Sequence, residues 1–585
     1  MKQFLKFTLA SMLGVFIALV LIFLILMGIV GAVSSSEKSI TIKENSVLHL
    51  NLEGVIQEQS LNNPFDFTIP GLPVDTKIGN QGLDDLLTAI KKAKNNDNIK
   101  GIYITASTLQ TGMATAEEIR NALLDFKKSG KFIFAYGELM DQKEYYIVSV
   151  ANKIMFNPEG MLNFHGLAAT PVFFKGTLEK IGVKPEIFRV GTFKSAVEPF
   201  ICTEMSEANR KQTQETLNGI WNNMLGNISV SRKIDKDNLN QLANQNMLFE
   251  ATSDLVKSKL IDSMLYQPDM MKYLSAKVGI TDVDDLQLLS VKDLLTAPDE
   301  TSHFEKAKVA VLYADGEIFD KGSEGVVSKD IIEEILKIQK DTMIKAVVFR
   351  VNSLGGSAYA SEQIWKAMTD LKAKKPVVVS MGDYAASGGY YISCNANKIV
   401  ATPNTITGSI GIFGMYFVMD ELSRKIGLSY DVVKTNDLSD LGNATRPMTV
   451  TEKMKIQSYV NRGYDLFVKR CAEGRKMKDE DIRKIAEGRI WTGTQAKEIG
   501  LVDEIGDLNK AIQIAAKLGK VTNYRMVYYP EKKEFLAELM EEFSGNTKMK
   551  MTAAFLGEEY APLLKLKTSK IQTGIMTRLD KFDIQ

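Results

Sequence analysis

Two residues far apart in this 585-residue chain carry the chemistry of a nucleophile and a base. Ser409 lies in Thr407-Gly408-Ser409-Ile410-Gly411-Ile412-Phe413-Gly414, and Lys194 in Gly191-Thr192-Phe193-Lys194-Ser195-Ala196. A serine hydroxyl needs a base to take its proton, and a lysine amine can serve if desolvation lowers its pKa from about 10.4 toward neutrality. Histidine, the commoner base, is scarce: His49, His165 and His303 are the only three. A glycine pair, Gly355-Gly356, follows an apolar run ending at Val351. Glycines between a strand and a helix let main-chain N–H groups approach a ligand as an oxyanion hole requires; a plain turn is the alternative. Ser387, in Asp383-Tyr384-Ala385-Ala386-Ser387-Gly388-Gly389-Tyr390, is a rival nucleophile at an expected helix start. From Ala310 onward no histidine is available to activate it, so it reads as a helix cap. His165, beside Phe164, reads as a packed side chain, and His49 also lies in the first half. Cys202, Cys394 and Cys471 are too few and too widely spaced for a disulfide framework or a metal cluster, and no metal or cofactor is expected.

An internal duplication singles out the serine and the lysine. At an offset of 245, Tyr145-Tyr146-Ile147 and Ala151-Asn152-Lys153-Ile154 recur as Tyr390-Tyr391-Ile392 and Ala396-Asn397-Lys398-Ile399. The same register matches Gly137 to Gly382, Pro158 to Pro403 and Lys180-Ile181-Gly182 to Lys425-Ile426-Gly427. Positions that make the fold should match between copies, whereas a functional residue can survive in one. Phe164 stands opposite Ser409, Ser439 opposite Lys194, and Ser107 to Gly112 opposite the segment holding Gly355-Gly356. Each copy thus holds half a dyad.

The elements that must position these residues alternate between apolar β-branched runs, such as Ala346 to Val351 and Val377 to Val379, and helical stretches such as Ala360 to Ala373. This predicts two tandem α/β domains with largely parallel sheets and sites at strand ends. The expected division is 1–36 for a short cytoplasmic start and an anchor, 37–296 for the first repeat with the lysine, 306–520 for the second with the serine, and 521–585 for a C-terminal extension. A loop insertion near Asn62 to Asn80 and a linker near Ala297 to Glu305 are expected. The uncharged run from Phe7 to Val33 is long enough to cross a bilayer, and Lys2 and Lys6 before it place its start in the cytoplasm. A cleaved signal peptide, using Gly31 to Ser34, is the competing reading. With 72 basic against 71 acidic side chains the chain has no footprint for nucleic acid. Its 45% hydrophobic and 24% charged composition belongs to folded protein.

The residues Gly191 to Phe200, Asn352 to Ser357, Gly382 to Tyr391 and Thr407 to Gly414 resemble the signal peptide peptidase A family, also called protease IV, in its long, duplicated form. The resemblance runs from the N-terminal anchor to about residue 520. It implies a Clp-protease/crotonase-type fold, a nucleophile at Ser409, a general base at Lys194, and oxyanion-side glycines at Gly355 and Gly356. Leu354 stands where the family commonly has proline. It further implies a homotetramer on the outer face of the bacterial inner membrane, acting on signal peptides and other extended apolar peptides. Recognition by strand addition suits such substrates. Two other readings stay open: a catalytically inactive membrane scaffold, and a crotonase-type acyl-thioester enzyme. Ser429, Thr435 and Ser439 are candidates for orienting the amine, and an amphipathic tail stretch, Phe535 to Phe543, for packing or membrane contact.

Overall fold

Strands rich in Val and Ile, alternating with helices, build two largely parallel sheets in this computed structural model. It describes residues 41–60, 81–298, 305–322, 325–531 and 574–578, with scattered helical residues between 3 and 21. The expected loop insertion, most of the linker, the tail stretch and most of the run from Phe7 to Val33 lie outside the described residues. Among the described residues no helix is long and apolar enough to cross a membrane.

The first sheet runs Gln81–Gly82, Ser46–Gln57, Ile99–Gln110, Phe132–Asp141, Lys153–Asn163, Ser263–Met264, all parallel, with Leu288–Leu289 also paired to Ser46–Gln57. The second runs Ile490–Thr492, Ile406–Gly408, Val377–Ala386, Ile344–Ser353, Lys308–Asp315, Arg525–Tyr529, with Lys398–Ala401 and Glu504–Ile505 branching from it. Both are covered by helices, which is why their strands read as continuous apolar runs rather than alternating ones.

The duplication extends beyond the matching sequence. Helices Leu83–Asn95 and Met113–Lys127 recur as Ser328–Lys340 and Ala358–Lys372. The 26-residue helix Glu207–Arg232 recurs as Val450–Arg475. Both of these are capped at the start by a hydroxyl, from Ser206 and Thr449, and both end on a left-handed lysine, Lys233 and Lys476.

A buried ion cluster ties the repeats together. The fully buried Arg350 donates to both oxygens of Glu58 (2.8 and 3.0 Å) and to Glu118 Oε1 (2.6 Å), both carboxylates coming from the first repeat. Glu118 Oε2 in turn accepts from the Leu508 N–H that opens the helix Leu508–Leu518.

A third sheet belongs to neither repeat alone. Its order is Val326–Val327, Ile318–Phe319, Gly355–Ser357, Gly574–Arg578, Phe413–Val418, Lys184–Arg189. The last of these comes from the first repeat and the strand before it from the second, and they pair antiparallel from Phe413↔Arg189 to Val418↔Lys184.

Candidate active site

Antiparallel pairing across the repeats fixes where the expected pair must lie. Beyond Arg189 the first repeat continues in the same direction as the residues preceding Phe413, so Lys194 and Ser409 meet just past the end of the ladder. Val190 N–H still donates to Ile412 O (3.2 Å) before the chains part. Gly191 then turns with φ +104°, against the Glu487 backbone, where a Cβ would come within 2.3 Å of the Glu487 carbonyl oxygen.

The lysine side chain enters a closed chamber. Lys194 is 1% exposed and Ser409 and Ser387 are fully buried. The Lys194 Nζ donates to Ser387 Oγ (2.8 Å), Ser409 Oγ (3.0 Å) and the Ser409 carbonyl (3.3 Å), all within one chain. Its stem packs on Gly411 and Gly488, where a Cβ would lie 3.3 Å from Lys194 Cδ and 2.7 Å from Lys194 Cα respectively. Both serines have positive φ, +50° at Ser409 and +54° at Ser387, a conformation costing of order 1–3 kcal/mol that the surroundings must enforce. They do so through the main chain: Ser409 N–H donates to Arg489 O (2.7 Å), Ser387 N–H to Gly408 O (2.8 Å), and Gly488 N–H to Ile410 O (2.9 Å).

The turn Glu487–Arg489 therefore holds both halves of the site. Phe193 N–H donates to Glu487 O (3.0 Å), while the Arg489 guanidinium stacks near Phe193 and Trp491 and pairs with Glu215 (2.6 Å). Gln212, on the long first-repeat helix, donates to the Phe193 carbonyl and Ser195 Oγ (3.1 Å each) and accepts from Ile490 N–H (3.3 Å).

Several expectations change. Ser387 sits at the start of the helix Gly388–Ser393 but makes no side-chain cap; its hydroxyl accepts from Lys194 instead. Ser429, Thr435 and Ser439, the candidates for orienting the amine, lie in an exposed segment, because the second repeat forms no strand there. Gly355 and Gly356 form a strand rather than a turn, with φ +101° and +158°. The Gly355 N–H donates to Ser353 Oγ (3.1 Å), and a Cβ on Gly356 would strike Ile318 O at 2.1 Å. His165 is exposed and lies in the first repeat, where its ring approaches the Gly166 carbonyl (3.0 Å), and His49 bonds Thr105 (2.8 Å).

The glycine strand and Phe413–Val418 are the two walls of a groove, and the strand Gly574–Arg578 lies between them, antiparallel to both. Met576 pairs with Ser357 on one side and Phe413 on the other, and packs with Val183, Ala196, Val197 and Met415. Nothing in the sequence announced this strand; its composition is ordinary and its partners are distant. Ser387 was visible only as a rival, and the Glu487–Arg489 turn carries no motif.

The geometry has counterparts among known proteins. The model of peptidase family S49 matches residues 125–281 and 369–522, one segment in each repeat, and the Clp protease model matches 304–407. Protease 4 of Salmonella typhi is 36% identical over 93% of this chain and 90% of its own length, and Protease 4 of Haemophilus influenzae 36% over 85% and 82%. The chloroplastic serine protease SPPA of Arabidopsis thaliana is 29% identical over 92% of this chain and 78% of its own. Two matched segments on a duplicated Clp-protease-like α/β fold, and likeness along nearly the whole length, lead to one conclusion: the chain belongs to peptidase family S49 and is a serine-type peptidase.

Proposed function

We propose that Ser409 is the nucleophile and Lys194 the general base of an endopeptidase that cuts extended apolar peptides, cleaved signal peptides among them. The carrying observation is the 3.0 Å approach of Lys194 Nζ to Ser409 Oγ in a chamber closed to water. Burial disfavours the charged form of an amine, and only a neutral amine can take a proton. As Ser409 Oγ bonds to the scissile carbonyl carbon, its proton passes to Lys194. The resulting ammonium gives that proton to the leaving nitrogen as the C–N bond breaks, leaving an ester on Ser409. Water, deprotonated by the same amine, hydrolyses the ester. Ser387, 2.8 Å from Nζ, positions the amine.

Ser387 is also the one rival that an observation favours, since it touches the same nitrogen. The groove supports Ser409. The strand Gly574–Arg578 runs antiparallel to Phe413–Val418, so its chain direction leads toward the residues preceding Phe413, where Ser409 stands. A peptide laid in this place by strand addition delivers its carbonyls to Ser409, with Gly355–Ser357 as the second wall and an apolar pocket at the Met576 position. The tail strand then competes with substrate for the groove.

In the same reading the run Phe7 to Val33 anchors the chain in the bacterial inner membrane with its bulk outside the cytoplasm. Apolar side chains left exposed on Ile426, Leu428, Val433, Val172 and Phe174 support self-association, as in a tetramer. The test is digestion of synthetic signal peptides by the detergent-solubilised full chain, with products sized by mass spectrometry. Cuts within the apolar stretch that vanish in Ser409→Ala support the reading. Cutting that persists in Ser409→Ala overturns it.

A further inference from the structure

A cavity of about 960 Å³ lies between the two repeats, away from Lys194 but sharing a boundary with the groove. Leu354, which lines it, immediately precedes the glycine wall, and Tyr384, also in its lining, lies on the strand leading to Ser387. Buried polar groups without partners are uncommon in folded proteins and call for an occupant. Four such atoms belong to residues that line this cavity: Nδ2 and Oδ1 of Asn404, a residue 2% exposed, together with Asn163 Oδ1 and Thr111 Oγ1.

The charge around these atoms is lopsided. Five carboxylates border the cavity against one lysine, Lys143, and the exposed His165. Two of the five are held by the fold: Glu144 accepts from the N–H groups of Leu109 and Asp141, and Asp383 from the N–H and hydroxyl of Thr115. Asp141 accepts from the Asn163 amide (2.9 Å) and, as a helix cap, from the Glu144 N–H, Asp315 accepts from the Asn352 amide (3.0 Å), and among the described residues neither forms a salt bridge. An Asn amide offers one acceptor and two donors, the complement of a peptide group, and carboxylates in the same lining suit an ammonium or guanidinium.

We propose that this cavity binds the cationic segment of an extended peptide, Asn404 holding its backbone and Asp141 and Asp315 its lysine or arginine side chains. The inference builds on the peptidase reading, because peptides with an apolar core and a positively charged end are the class that fills the groove and this cavity together. It adds charge selection to a groove whose own walls select for extended apolar chain.

The experiment uses the full chain carrying Ser409→Ala and a fluorescent, uncleavable peptide of Gly, Ser and four Lys residues, with a Gln-for-Lys control, read by anisotropy at low salt and about pH 8, where the Asp315 carboxyl, pushed up to about 7 chiefly by burial, has released its proton. The expected result is binding of the Lys peptide at least about tenfold tighter than the Gln peptide. That preference collapses toward one in Asp141→Asn/Asp315→Asn, while Asn404→Leu weakens both peptides; matching thermal melts show that the variants are folded. Equal binding of the two peptides, the result expected of a cavity that holds only water, overturns the proposal. So does a Lys preference that survives the double substitution, which would place the attraction elsewhere. Hydrolysis of a lysine-free apolar peptide by the wild type is measured separately. Its failure counts against the peptidase roles alone, and a selective Lys-peptide complex supports the cavity assignment whether or not that peptide is cut.

Discussion

The two repeats share strands, helices and even the caps of their longest helices, yet they differ at the positions that meet in the third sheet. In the first repeat the position opposite Ser409 is Phe164, fully buried against Tyr145 and Trp221 with ring centroids 5.9 and 5.5 Å away. In the second repeat the stretch opposite Lys184–Arg189 is exposed coil, with Val433 97% exposed. One copy therefore has a core phenylalanine where the other has its serine, and a strand leading to the lysine where the other has exposed coil. In the proposed reading one catalytic pair is divided between the two copies, and the Phe413–Val418 pairing with Lys184–Arg189 is the interface that holds its halves in register.

This comparison can be broken in order of effect. Lys194→Ala should lower kcat on an apolar peptide by about 10⁴-fold or more, and Ser439→Lys added to it should restore nothing, because that position lies in exposed coil. Recovery of activity in the double variant, measured with a fluorogenic peptide, would show the copies to be interchangeable.

Phe164→Ala should cost roughly 3–5 kcal/mol in denaturant unfolding, the usual price of an emptied aromatic site, while folded enzyme at low temperature keeps its kcat. A specific loss of kcat with stability intact would place Phe164 in the chemistry instead. Arg350→Ala should cost a similar 3–5 kcal/mol, since it leaves Glu58 and Glu118 buried without their cation.

Ser387→Ala should reduce kcat by about a hundredfold with little change in KM, and should move the acidic limb of the pH profile, which reports the Lys194 base, because the amine loses a hydrogen-bond partner 2.8 Å away. Ser387→Thr should recover part of the loss. A pH profile identical to wild type would reduce Ser387 to a packing role.

The smallest effect concerns Asp315 and Glu144, whose carboxyls are pushed up to about 7, chiefly by burial. Each holds its proton in the folded state where the unfolded chain releases it near pH 4, so its stabilising contribution is complete below that and is lost as pH rises through about 7. Between about pH 5 and about pH 8, Asp315→Asn should flatten the resulting fall in Tm by roughly a degree or two. An unchanged slope would contradict the assignment.

Much of this was legible in the sequence, because it is written in matched positions. The 245-residue offset laid Tyr145-Tyr146-Ile147 on Tyr390-Tyr391-Ile392, which fall in the corresponding helices Gln142–Val148 and Gly388–Ser393, and the mismatches at Ser409 and Lys194 drew attention to two residues whose side chains meet. What was not legible depends on non-local contact. Ser387 looked like a cap because helix starts commonly use serine, but its hydroxyl is claimed by a lysine from the other repeat. Glu487–Arg489 grips the lysine loop through main-chain atoms, which leave no side-chain signature. The cluster of Arg350, Glu58 and Glu118 joins residues that no offset aligns.

The central claim is that one pair divided between two copies makes one active serine, and fluorophosphonate labelling of the solubilised full chain tests it most directly. Label mapped by mass spectrometry to Ser409, and lost in Lys194→Ala as well as in Ser409→Ala, is the predicted result. Label on Ser387, or label on Ser409 that is undiminished without Lys194, would contradict it.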